Sequence, residues 1–448
     1  MTRSPARMMG KGHISVKKYL DDRFQDVPSG RRLLHGAAWN VLGSVFSRIC
    51  ALVTTVITAR MLGKEGFGEL GMIQSSIIML GVLAGFGSGL SATKYVSEHR
   101  LRDPERAGQF AGASMLVAVL FGFLGAGILY LLAPIMAKQV LSADHLASLL
   151  QASAIYVFLS TMNGAQIGVL SGLESFKELS RINLIAGIAG VCIVASCVTT
   201  YGMQGAVWGY NLAMAVNCTL SQYVLHKVMR EHHMKLDYIR SHDVFGMLWK
   251  YNLPAMLASA LVAFVTWMCN AMLVNQPTGY ESLGLYHAAY QWRQVLLFLP
   301  SMIAQVTLPI MSSDRDDAMS DHVRTNFRLN VIIAFPLLLV LCLISPFIMN
   351  AYGQSFRHGW LVFAIVQIAT FFQVLQSPIA TYWAATGRMW TNFLMNIGWA
   401  AVLVALSRYL LHLGALGLAL SLFASFFLHG FLLLLFVPRA NAVRVIKA

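Results

Sequence analysis

The sequence is short of charge. Only 12% of its 448 residues are Asp, Glu, Lys or Arg, about half the share of a soluble domain. Hydrophobic residues make up 57% and the mean hydropathy is +0.62. A soluble multi-domain protein of this length is therefore excluded, and most of the chain must meet lipid. Carboxylates are scarcest, 19 against 33 Lys and Arg, and none falls at the centre of an apolar segment. A cavity between such segments would be cationic, which counts against organic-cation carriage and against Na⁺ or H⁺ coupling through an intramembrane carboxylate. No CxxC pair or Cys/His cluster occurs. Cys50, Cys192, Cys197, Cys218, Cys269 and Cys342 all lie in apolar runs and read as small buried hydrophobes, so no metal, disulfide or cofactor is expected. The first 35 residues lack an apolar stretch, so the first span is expected to direct its own insertion. Gly85-x-Gly87-x-Gly89 has no preceding strand and no GKS/T, and reads as close helix packing rather than a nucleotide loop.

What remains is a series of apolar segments, each near the ~20 residues that cross a ~30 Å hydrocarbon core. They predict about twelve helical spans, at 36–60, 69–92, 108–131, 149–171, 182–201, 203–225, 249–274, 283–311, 329–350, 359–384, 390–411 and 414–437. The net charge of +14 sits between the spans, not on a patch for nucleic acid. With the N-terminus inside, Lys and Arg crowd the cytoplasmic pieces, while the other side holds only Arg60, Lys64, Lys138, Arg357 and Arg408. Both termini are therefore expected in the cytoplasm. Outer loops are short, leaving no room for an extramembrane catalytic domain.

An internal repeat ties the two halves together. Gly66-Phe67-Gly68-Glu69-Leu70-Gly71-Met72 leads into the second span, and Gly279-Tyr280-Glu281-Ser282-Leu283-Gly284-Leu285 into the eighth. Both read Gly-aromatic-x-x-Leu-Gly-apolar. Gly205-Ala206-Val207 recurs six spans later as Gly414-Ala415-Leu416. The expected fold is an all-α polytopic bundle of two six-helix lobes in the same orientation, related by an axis along the membrane normal. The boundaries are a basic tail at 1–35, lobes at 36–230 and 249–437, a cytoplasmic linker at 231–248 and a second tail at 438–448.

Polar residues fall in stripes. Asn40, Ser44, Ser47, Arg48, Thr55 and Thr58 share a face of the first span; Asn252, Ser259, Thr266 and Asn270 share one of the seventh; His287, Tyr290, Gln291 and Gln294 share one of the eighth. Interhelical hydrogen bonding explains any one stripe; stripes on both halves point to a water-filled cavity between them. Arg48 and Arg293 lie near mid-span, where an arginine costs at least ~2.5–3.5 kcal/mol to insert and cannot simply deprotonate. Either faces an anion in the cavity or caps buried carbonyls. The candidate substrate-binding residues are Arg48, Arg293, Asn40, Ser44, Asn270, His287, Tyr290 and Gln291, and no catalytic residue is expected. Trp39, Trp249, Trp360 and Trp390 read as interfacial anchors, and Pro254, Pro300, Pro336 and Pro378 as helix bends.

The Trp39-Asn40 opening, the turn Ala59-Arg60-Met61-Leu62-Gly63-Lys64-Glu65-Gly66-Phe67-Gly68 and Gly172-Leu173-Glu174-Ser175-Phe176-Lys177 resemble the polysaccharide transporter family. That family includes the Wzx O-antigen flippases and belongs to the multidrug/oligosaccharidyl-lipid/polysaccharide superfamily. The resemblance covers nearly the whole chain after residue 30. It implies a V-shaped pair of lobes in a bacterial inner membrane. It also implies alternating-access translocation of a polyprenyl-diphosphate-linked oligosaccharide, an O-antigen or exopolysaccharide unit, with other polysaccharide assembly proteins as partners. A cationic cavity suits the diphosphate. The alternatives are a multidrug cation antiporter of the same superfamily, which should carry an intramembrane acid, and a lipid II flippase, which usually has two more spans. A membrane polymerase or acyltransferase would need a large outer loop or an embedded His/Asp pair, and a structural assembly subunit stays open.

Overall fold

Long runs of Leu, Val, Ala and Phe can satisfy their backbone in lipid only as helices, and helices are what the chain forms. The structure, a computed structural model, describes the backbone of residues 28–436 except 233, 235, 237–241, 314, 315 and 387. Side chains are described from residue 41, with the gaps 233, 235, 237–255, 305, 306, 308–310, 312–320, 387, 389 and 434–436. No strand occurs among the described residues. Residues 1–27 of the expected N-terminal tail, all of the C-terminal one and 233, 235 and 237–241 of the expected linker lie outside them. The first helix already begins at Pro28, inside the expected tail, and another at His242, inside the expected linker.

The helices are α1 (Pro28–Gly85), α2 (Ser88–His99), α3 (Pro104–Ile135), α4 (Ala154–Gly172), α5 (Phe176–Glu231), α6 (His242–Val274), α7 (Gly279–Gln291), α8 (Arg293–Ser313), α9 (Asp316–Ala351), α10 (Trp360–Ala385), α11 (Met389–Leu410) and α12 (Ala415–Phe436). Nine helices among the described residues are long and apolar enough to cross a membrane. Two of these are broken by a glycine: α1 at Gly63 (φ 70°) and α5 at Gly202 (φ 55°), conformations that only glycine adopts without strain. The break in α5 folds it back on itself. A Cβ on Gly205 would meet Cys197, one on Gly209 would meet Val194, and one on Gly190 would meet Ala213, the pairing of an antiparallel hairpin.

Two expected spans are divided differently. The span expected at 69–92 ends at Gly85, and a new helix begins at Ser88; Phe86 (φ 44°) and Gly87 (φ 63°) make the turn. Close packing holds for the third glycine of that run, because the backbones of Gly89 and Gly168 touch. The span expected at 283–311 is two helices that meet at Trp292, whose indole donates to the Tyr352 hydroxyl at 3.1 Å.

At the Gly63 break of α1, the two halves of the sequence meet in a tight seam. The glycine repeats meet there, each against the other. A Cβ on Gly68 would fall on the carbonyl oxygen of Tyr280, and one on Gly284 on that of Lys64. Small residues that let backbones touch are the usual currency of helix packing in lipid. Around this crossing, Lys64 pairs with Glu281 at 2.7 Å and the Arg60 Nε–H donates to the Ala351 carbonyl at 2.6 Å. Ser142 donates to Asn275 Oδ1 at 2.8 Å, and the Tyr280 hydroxyl to the Leu141 carbonyl at 2.9 Å. Buried Phe67 packs its ring against His287, Tyr352 and Phe356. Further from the seam, Trp267 Nε1–H donates to Ser76 at 2.9 Å and Asn270 Nδ2–H to Ser75 at 3.0 Å.

Candidate functional site

The first arm of α1 carries Ser44, Ser47, Arg48, Ala51, Leu52 and Thr55 at the i, i+3, i+4 spacing of a single helical face. Together with Asn183 of α5 and Gln291, Gln294 and Val295 of the α7–α8 break, they line a cavity of about 350 Å³. A second cavity of about 420 Å³ lies within the N-terminal half and also touches Gln291; Gln74, Tyr156, Asn183, Tyr210, Asn211 and Asn217 supply its polar wall. A third, of about 500 Å³, lies between α1 and the C-terminal half, where α6, α7 and α11 contribute Thr266, Asn270, His287, Tyr290, Asn392 and Asn396. Gln291 is common to all three, and Gln294 to the first and third. The three cavities are therefore neighbours around the kink at Trp292, with Gln291 at the end of α7 and Gln294 at the start of α8.

Arg48 stands at the edge of this space. Its guanidinium carbon lies 4.1 Å from the centroid of the Phe298 ring, close enough for a cation–π contact. It forms no ion pair among the described residues. On its other side is a groove of about 620 Å³ walled almost wholly by apolar side chains, among them Val45, Ile49, Leu52, Val295 and Leu299. Val45, Ile49 and Leu299 are exposed and face outward. Arg48 is the one Arg, Lys, Asp or Glu among the described residues that line the four cavities.

The candidate residues are thus only partly brought together. Arg48 and Ser44 share the 350 Å³ cavity with Gln291; Asn270, His287, Tyr290 and Gln291 share the 500 Å³ one. His287 is buried, and its Nε2 lies 3.1 Å from Gln74 Oε1 and 2.9 Å from Gln291 Nε2, so it ties α7 to the second arm of α1. The side chain of Asn40 lies outside the described residues. Arg293 lies elsewhere: its Nε–H donates to Thr370 at 3.0 Å and Nη2–H to Gln373 Oε1 at 2.5 Å. Its guanidinium carbon is 4.3 Å from the Tyr290 ring centroid, the residue is 6% exposed, and it lines none of the four cavities. Here the guanidinium binds α8 to α10. Sequence reasoning missed Asn183, Asn211, Asn217, Asn392 and Asn396. The signal was present in part, since asparagine in an apolar span is costly and has to be used; Asn392 and Asn396 are also one turn apart.

Comparison with known proteins places this geometry. The chain is 23% identical to the EPS I polysaccharide export inner membrane protein EpsE of Ralstonia nicotianae, over 88% of this chain and 92% of that one. Its fold superposes with a TM-score of 0.71 on an inward-facing multidrug resistance MATE family transporter of the MOP superfamily, at 14% identity over 90% of this chain and 96% of that one. The score is again 0.71 for the lipid II flippase MurJ in an inward closed conformation, at 16% identity over 91% and 89%. Equal likeness to a drug transporter and a lipid flippase establishes the fold and leaves substrate to the site. The profile of the polysaccharide biosynthesis protein family matches residues 33–314, more than half of the sequence, and the chain belongs to that family.

Proposed function

We propose that this protein carries a polyprenyl-diphosphate-linked oligosaccharide from the cytoplasmic to the outer leaflet of a bacterial inner membrane by alternating access. The observation that carries the reading is the position of Arg48, the one charged residue among the described residues where an apolar, outward-facing groove meets a cavity otherwise lined by neutral, mostly polar side chains. A lipid-linked sugar has the same three parts in the same order. Its prenyl chain suits the groove, its diphosphate takes charge-assisted hydrogen bonds from the guanidinium, and its glycan suits the amide-lined space beyond. The lack of any carboxylate lining the described cavities disfavours the cation-antiporter alternative, since an organic cation would find no counter-charge.

Twelve crossings in two lobes at 36–230 and 249–437, with both termini cytoplasmic, belong to this proposal. The hairpin at Gly202, the break at Gly63 and the loading of Lys and Arg on one side support them. In that orientation the seam around Gly68 and Gly284 closes the outer side. The protein acts as a carrier rather than an enzyme, and other polysaccharide assembly proteins would hand on or receive its cargo.

The test is leaflet-to-leaflet transfer of a labelled polyprenyl-diphosphate oligosaccharide in proteoliposomes. Wild type should transfer it, Arg48→Ala should abolish transfer, and Arg48→Lys should keep part of it, because an ammonium holds the charge without the planar fork. Full rates in Arg48→Ala would remove the diphosphate from this site. Uptake of cationic dyes with no lipid transfer would replace the proposal by the antiporter.

A further inference from the structure

The 500 Å³ chamber has a feature that carriage of a diphosphate does not need. Asn392 and Asn396 project into it from one face of α11, a helix otherwise composed largely of apolar residues. Neither side chain, nor that of Gln294, hydrogen-bonds to any described residue. Asn270 gives its Nδ2–H to Ser75, while its carbonyl oxygen is buried and without a partner. Unused amides in a membrane bundle are costly unless water or a ligand engages them. The chamber's volume falls within the roughly 300–1,000 Å³ of small-molecule sites. Amides both donate and accept, which matches the alternating hydroxyl and acetamido groups of a sugar, and the ring of Tyr290 offers it a flat apolar face.

The chamber is also uncharged. No Arg, Lys, Asp or Glu lines it among the described residues. Arg293 lies behind Tyr290, held by Thr370 and Gln373, and Arg48 lines the neighbouring cavity, which shares Gln291 and Gln294 with the chamber.

We infer that this chamber, with Asn270, Asn392 and Asn396, is a sugar-selecting subsite that admits uncharged hexoses or N-acetylhexosamines next to the diphosphate and rejects uronic or other acidic sugars. The inference rests on the flippase reading and adds its substrate class. An acidic sugar would bring a carboxylate among neutral amides while the nearby guanidinium is engaged by the diphosphate. A carboxylate left without a counter-charge among neutral groups is one way a site discriminates against a ligand.

The experiment compares two probes in proteoliposomes of the full chain. One is a polyprenyl diphosphate bearing an N-acetylhexosamine disaccharide; the other is the same lipid with glucuronic acid as its first sugar. Wild type should transfer the neutral probe at least about tenfold faster. Asn392→Lys, which places a cation in the chamber, should reverse or abolish that preference. Asn396→Ala should slow the neutral probe without improving the acidic one. Equal rates for both probes in wild type would overturn the inference and leave the flippase standing. Transfer of neither probe would overturn the flippase reading itself. Should Asn392→Lys fail to fold, the two-probe comparison in wild type still decides the question.

Discussion

Replacing Gly68 by alanine tests whether the glycine seam holds one end of the protein shut. The added methyl group would fall on the Tyr280 carbonyl oxygen and within 3.0 Å of the Gly284 nitrogen. Both contacts are backbone, so no rotamer change relieves them and α7 must retreat from α1. Overpacking of this kind costs about 1–3 kcal/mol. The cost falls only on the conformation in which the seam is closed, and an energy of that size shifts a two-state equilibrium by about 5–150-fold. The shift can be read from disulfide formation between cysteines at 142 and 275, since Ser142 Oγ and Asn275 Oδ1 lie 2.8 Å apart across the seam. Exposed Cys192 should first be replaced. Gly68→Ala should slow cross-linking in proportion to the lost closed population. Gly398→Ala, whose Cβ would meet nothing, should leave it unchanged. A closed-to-open ratio, read from the cross-linked and uncross-linked fractions, that changes less than about twofold in Gly68→Ala, below the 5-fold floor, would refute the reasoning.

Other perturbations separate structural from transport roles. Arg293→Ala should destabilise the fold by about 1–3 kcal/mol, because it removes two interhelical hydrogen bonds worth ~0.6 to ~1.7 kcal/mol each in lipid; an unchanged Tm in detergent would show that the guanidinium does not brace α8 against α10. Lys64→Ala or Glu281→Ala should cost under about 1 kcal/mol and slow transfer less than about 5-fold, since the side chains are 26% and 44% exposed. The charge-swapped pair should recover the loss, and failure to recover would point to roles beyond their mutual attraction. Gly168→Ala should sharply reduce the yield of folded protein, because its Cβ would strike the Gly89 backbone. Gly127→Ala, with open space around it, should be neutral or stabilising by about 0.5–1 kcal/mol, and a comparable loss there would undermine the packing argument.

Hydropathy and charge made most of the helices legible because lipid imposes one rule on every span: backbone satisfied within the segment and charge kept at its ends. The long helix over 176–231 breaks at Gly202, between the spans expected at 182–201 and 203–225. The polar stripe on the first span pointed to the cavity lining of Ser44, Ser47, Arg48 and Thr55 for the same reason: a helical face is a local property that spacing reveals. Partners are not local. Lys64 meets Glu281 and Gly68 meets Gly284 through the packing of helices far apart in sequence, so pairing remained invisible even where the repeat was visible. Arg48 and Arg293 show the limit best. Both lie deep in apolar segments, yet one lines open space and the other is bonded to Thr370 and Gln373. The difference is set by the kink at Trp292 and by α10.

That difference has a consequence for transport. A carrier must hold its cargo on one side and release it on the other, so binding has to be strong enough to capture and weak enough to let go. Two arginines converging on a diphosphate in a low-dielectric cavity would favour capture over release. A single guanidinium, half-buried and already resting on the Phe298 ring, offers one charge-assisted contact that a rocking motion can break as α8 moves against α1. On the proposed reading the glycan would be held by neutral amides, each interaction modest and exchangeable with water. Phe298 would become part of the release step, because its ring reclaims the guanidinium as the diphosphate leaves. Phe298→Ala should therefore keep diphosphate-lipid binding while lowering turnover. If binding and turnover fell together, the ring would be only a wall of the groove and the single-cation argument would lose its release step.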